Sequence, residues 1–122
     1  MYLHGDLRAL IELAGRYPMT NGWQVMVRAE WVDVSPSVPQ GLSYALILQD
    51  ENGDRLLGFD NSHAPDGAKD EGLFDHEHRA NAPWRTYAYT FTSAGQLITD
   101  FFDRVRAYCK QRDIEFSFED PP

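Results

Sequence analysis

Between Trp23 and Trp31 the chain alternates: Trp23, Val25, Val27, Ala29 and Trp31 fall on one side, and Gln24, Met26, Arg28 and Glu30 on the other. A period of two turns successive side chains to opposite faces, so this stretch predicts a half-buried strand with one wetter face. Leu42, Tyr44, Leu46 and Leu48 alternate with Ser43, Ala45, Ile47 and Gln49, predicting a second, more deeply buried strand. Asn52-Gly53 follows within a polar turn, the strongest short-range hairpin signal, and Arg55 to Phe59 should return antiparallel as a third strand. Arg85, Tyr87, Tyr89 and Phe91 alternate with Thr86, Ala88 and Thr90 as a fourth. Ser35 to Gly41 is a turn-rich connection, and Pro65 to Gly72 a polar loop, with a short helical turn expected around Leu73 to Arg79.

The period lengthens at both ends. From Asp6 to Tyr17, Leu7, Leu10, Ile11 and Ala14 take helical spacing, with Asp6 placed to cap the start and Pro18 to stop the helix. Ser93-Ala94-Gly95-Gln96 has the form of a capping box. Leu97, Ile98, Phe101, Phe102, Val105, Tyr108 and Cys109 then trace an apolar stripe, and Arg104, Arg106, Lys110 and Arg112 crowd the later half, where cations favour the negative end of the helix dipole. The expected architecture is α+β: a four-stranded antiparallel meander with the N-terminal and C-terminal helices packed on one face, leaving the other face free for a site. Residues 1–122 form one expected domain, with a tail over 113–122 that frays unless Ile114, Phe116 and Phe118 add an edge strand.

Composition narrows the classes of function. The chain has 122 residues, 43% hydrophobic and 25% charged, in the ordinary globular range. No apolar run approaches the roughly 20 residues that cross a bilayer, and the first residues lack the basic and apolar parts of a signal peptide, so a soluble cytoplasmic protein with no membrane partner is expected. Cys109 is the single cysteine, which excludes an internal disulfide and a thiolate metal cage. A formal net charge of −8 weighs against nucleic-acid partners, whose binding rests on Lys and Arg, and equally favours a basic protein partner.

Candidate chemistry concentrates between Asp60 and Arg79. Of four histidines, His63, His76 and His78 fall here, in the runs Gly58-Phe59-Asp60-Asn61-Ser62-His63 and Asp75-His76-Glu77-His78-Arg79. Histidine titrates near neutrality, so two can share general base and general acid work. A carboxylate beside an imidazole, Asp60 or Asp75, fixes its tautomer and favours its charged form. The planar fork of Arg79 suits a phosphate or a developing oxyanion. Together these groups would suffice for metal-independent cleavage of RNA. The same residues allow a divalent-metal site: His76 and His78 project to one side if that piece is extended, and His63 with Asp60 or Asp75 could complete it. They also allow a solvated acidic loop without chemistry.

Both runs, with Arg16-Tyr17, with Ser35, Pro39 and Gly41 leading into Leu42-Ser43-Tyr44-Ala45-Leu46, with Arg55-Leu56-Leu57, and with Phe91-Thr92-Ser93-Ala94-Gly95-Gln96-Leu97 and Asp100-Phe101, occur in order over about residues 16–105. In this the chain resembles the TumE family of small toxins from prokaryotic toxin–antitoxin modules. The resemblance implies a toxin that restrains growth, neutralised by a cognate antitoxin encoded beside it, often a helix-turn-helix DNA-binding protein. Ribonuclease action on RNA is the expectation for small toxins of this kind, carried by the matching positions Asp60, His63, Asp75, His76, His78 and Arg79; from the chemistry of these residues it is expected to be metal-independent, and no cofactor is expected. The alternatives are a non-enzymatic toxin or regulator that binds a protein partner through its acidic surface, and a metal-dependent hydrolase. The acidic charge and the loop from Ala64 to Leu73 depart from what a strong RNA binder would show, and Gly95 stands where a better helix former is expected.

Overall fold

The protein is described by a computed structural model covering residues 2–61, 75–82 and 85–120. Its elements are α1 (His4–Leu13), β1 (Gly15–Pro18), β2 (Gln24–Trp31), β3 (Leu42–Gln49), β4 (Arg55–Asp60), β5 (Asp75–His78), β6 (Thr86–Tyr89) and α2 (Ala94–Gln111). The strands form one six-stranded sheet in the order β1-β2-β3-β4-β5-β6, each antiparallel to the next. The meander and the two terminal helices are as the sequence predicts. The count of four strands is not, because β1 and β5 are added.

Each added strand has a local reason. The N-terminal helix ends at Leu13 rather than Tyr17, and Gly15 follows with a φ of 151°, a conformation that side-chain-bearing residues rarely adopt. The chain then extends, and Gly15 to Pro18 pair with Val27 to Gln24 of β2. Asp75 to His78, expected near a helical turn, pair on both sides: Asp60 faces His76, and His76 faces Ala88. The expected loop from Pro65 to Gly72 lies outside the described residues.

The alternation read from the sequence sets the two faces. Val25, Val27, Leu42, Tyr44, Leu46, Leu48, Leu57 and Phe59 are buried and share a core with Leu7 and Leu10 of α1 and Leu97, Phe101, Val105 and Cys109 of α2. Both helices thus cover one face. Each of the largest fully buried side chains contributes on the order of 1.5–3 kcal/mol through its removal from water. Cys109 is a buried core residue, and burial pushes its thiol up from the ordinary range. Near the C-terminal end, Thr20 N–H donates to the Ser117 carbonyl at 3.0 Å, Glu119 N–H donates to the Pro18 carbonyl at 2.9 Å, and Phe118 bridges Met19. The tail runs beside β1, as the apolar alternation of Ile114, Phe116 and Phe118 permits.

Candidate active site

No helix among the described residues lies on the opposite face of the sheet. Across it the register lines up Arg28, Ala45, Asp60, His76 and Ala88 in one row. The next row holds Arg16, Met26, Ile47, Gly58, His78 and Thr86. Asp60 is the last residue of β4, and its neighbour Asn61 fixes that end. The buried Asn61 side chain accepts the Tyr44 N–H at 2.8 Å and donates to the Leu42 carbonyl at 2.7 Å, closing β4 onto β3 beyond the last paired residue. The Asp-Asn pair is therefore more than turn chemistry. Asn61 anchors the backbone from which Asp60 reaches its partners.

Asp60 bridges both imidazoles. One carboxylate oxygen lies 2.8 Å from Nε2 of His76 and the other 2.8 Å from Nε2 of His78. The rings stand edge to face, with centroids 5.3 Å apart at 88°. All three side chains are only 13–14% exposed. Burial alone would push the Asp60 carboxyl up, but the hydrogen bonds and charges of the two histidines outweigh it and hold the group well below the usual carboxylate range. An ionised Asp60 is an acceptor only, so each imidazole meets it with Nε2–H. The small residues Ala45, Gly58 and Ala88 flank the three groups in the two rows.

The remaining sequence candidates are divided by the pleat. Asp75 and Glu77 alternate with His76 and His78 and point to the helix side, where both are buried. Asp75 accepts the Tyr44 hydroxyl at 2.8 Å and the Gln40 amide at 3.1 Å. Burial, then the adjacent carboxylate, pushes the Tyr44 phenol far above its ordinary range. Asp60, not Asp75, is thus the carboxylate bonded to both imidazoles. Arg79 lies with Glu77, its Nε 3.3 Å from Oε1, and stacks on Tyr87 at 3.8 Å, away from the histidines. His63 lies outside the described residues.

The sequence did not single out Glu77, Tyr44 or Gln40, whose bonds hold β5 against the core side. Alternation within Asp75 to His78 was the available signal for Glu77; nothing local marks Tyr44 or Gln40 as partners of a residue 31 or 35 positions later. As for metals, the ligating atoms of Asp60, His76 and His78 all lie within 4.8 Å of one another, a two-imidazole, one-carboxylate set suited to a borderline transition metal.

This order of elements and motifs is matched by the family model described as Toxin TumE, over residues 6–109. The chain belongs to the TumE toxin family. Comparison with curated proteins and with solved structures returned no match. Family membership spans α1 through most of α2, so the TumE match includes both the helix-covered core and the opposite face that carries Asp60, His76 and His78. No helix among the described residues is long and apolar enough to cross a membrane.

Proposed function

We propose that this TumE toxin cleaves RNA without a metal ion, using His76 and His78 as the general acid and general base and Asp60 to orient both. The observation that carries the proposal is the forked hydrogen bonding of one ionised carboxylate to two imidazoles on the sheet face away from the two helices. Asp60 fixes the tautomer and orientation of each ring by accepting its Nε2–H. One neutral imidazole takes the proton of a ribose 2′-hydroxyl as its oxygen attacks phosphorus. The other, protonated, gives its proton to the departing 5′-oxygen, leaving a 2′,3′-cyclic phosphate and a free 5′-hydroxyl. A cognate antitoxin, with a helix-turn-helix protein as the candidate, would neutralise the toxin by binding it.

The convergence of three ligating atoms within 4.8 Å favours a second mechanism, in which the same residues hold a divalent metal that activates water. RNA cleavage by tag-free protein, with EDTA and with added metals, separates the two. Metal-free catalysis predicts cleavage in EDTA. Cleavage only after metal is restored supports the metal mechanism, and intact RNA under every condition contradicts both.

A further inference from the structure

Behind β5, on the helix side, lies a cavity of about 240 Å³ whose lining includes Leu57, Glu77, Arg79, Arg104, Tyr108 and Arg112. Three arginines and one glutamate are among its lining, a formal excess of two positive charges in a chain whose formal net charge is −8. Such a concentration of cations needs a reason, because like charges gathered in one place repel. Glu77 explains part of it: its carboxylate is 6% exposed and is held by Nε of Arg104 at 2.7 Å and Nε of Arg79 at 3.3 Å. A buried carboxylate requires a counter-charge. Glu77 does not account for Arg112, which pairs with no carboxylate among the described residues and stacks instead on Tyr108, 3.7 Å from the ring centre.

The Glu77 contacts also leave capacity to spare. Both are made through Nε, while the paired terminal nitrogens of a guanidinium are the donors that fit the oxygens of a phosphate. Arg79 and Arg104 are thus oriented from behind by a buried anchor, and Arg112 is oriented by an aromatic ring. Preorganised forks around a cavity much larger than a phosphate ion, walled in part by Leu57 and Tyr108, suit a phosphate that carries an organic body.

We infer that this cavity is a binding site for the phosphate of a nucleotide, either free or within an RNA strand, separate from the Asp60–His76–His78 centre on the other face. Arg79, Arg104 and Arg112 supply the donors, and Tyr108 and Leu57 cover the sugar or base. The site does not depend on the catalytic proposal: it can bind nucleotide whether or not the histidines cleave RNA.

The test is calorimetric or NMR titration of the full chain with inorganic phosphate, 5′-AMP and an all-2′-deoxy oligonucleotide, which lacks the hydroxyl that cleavage needs. Saturable binding that weakens with salt is expected, and it should fall about tenfold or more in Arg112→Gln as a charge-assisted contact is lost. Arg112→Gln leaves the Glu77 pairs intact, so its fold should hold by circular dichroism. Tighter binding of the oligonucleotide than of 5′-AMP assigns the site to strand phosphates; binding of 5′-AMP alone assigns it to free nucleotides. The inference is overturned if none of the three probes binds, if binding is unchanged in both Arg112→Gln and Arg104→Gln, or if an acidic peptide binds there and the nucleotides do not.

Discussion

Asp6, in the first turn of α1, caps the other helix: its carboxylate accepts the backbone N–H of Ala94 at 2.6 Å, and also that of Gly95 at 3.0 Å. The first N–H groups of a helix have no partner within it, and the positive end of the dipole favours an anion. Ser93 adds the local cap, accepting the Gln96 N–H at 3.0 Å, while the Gln96 side chain reaches forward to Asp100. Asp6→Ala removes two long-range hydrogen bonds and should destabilise the protein by about 1–2 kcal/mol, with Ser93→Ala costing about 1 kcal/mol. Urea unfolding followed by circular dichroism measures both. Equal midpoints for wild type and Asp6→Ala would contradict this role.

The same residue shows how far the sequence could be read. Asp6 was legible as a helix cap, but for its own helix; its target is 88 positions away, and local spacing carries no trace of that. The hairpin at Asn52-Gly53 was fully legible, because turn chemistry is local: Gly53 has a φ of 85°, and its N–H meets the Asp50 carbonyl at 3.0 Å. β1 was hidden because Ala14 extends the helical spacing of Leu7, Leu10 and Ile11, and only Gly15 interrupts it. β5 was hidden for a different reason. Asp-His-Glu-His contains no apolar residue to alternate, and its buried members are satisfied by Tyr44, Gln40 and Arg104 from elsewhere in the chain. The pleat of that strand also divided the site candidates, keeping His76 and His78 with Asp60 and sending Asp75, Glu77 and Arg79 to the other face.

Asp60 makes stability depend on acid pH. Its folded carboxyl is held below the ordinary value of 3.8, so it stays charged while the unfolded chain takes up a proton. The stabilisation is complete above that ordinary value and is lost as pH falls through the lower folded value. Melting temperature should therefore decline more steeply below about pH 4 in wild type than in Asp60→Asn. Parallel profiles for the two proteins would contradict the depressed carboxyl.

Gly58 is required by backbone proximity on the face of the site. A Cβ there would lie 2.8 Å from the Leu46 carbonyl oxygen and 3.4 Å from the Ile47 Cα, so β3 and β4 would have to separate. Gly58→Ala should cost about 1–3 kcal/mol by overpacking, and it should disturb Asp60 two residues on. Thermal unfolding gives the first effect. The second should appear as shifted His76 and His78 imidazole resonances in NMR spectra.

The Glu77 ion pairs should respond unequally to deletion. Arg104 Nε is the closer partner at 2.7 Å, and its bond to Glu77 holds the guanidinium above its ordinary range. Arg104→Ala leaves a buried carboxylate with one longer contact and should destabilise more than Arg106→Ala, whose partner Asp103 is exposed at 3.5 Å and which should change stability by less than about 1 kcal/mol. Chemical unfolding of the two variants at one pH decides the order.

Cleavage of RNA in EDTA by wild type, His76→Ala and His78→Ala tests the central claim most directly. Wild type should cleave to products bearing 2′,3′-cyclic phosphate, and each alanine variant should be slower by about 10²- to 10⁴-fold, the usual share of a general acid or base. Equal cleavage by all three proteins, or intact RNA with wild type in EDTA, would contradict it.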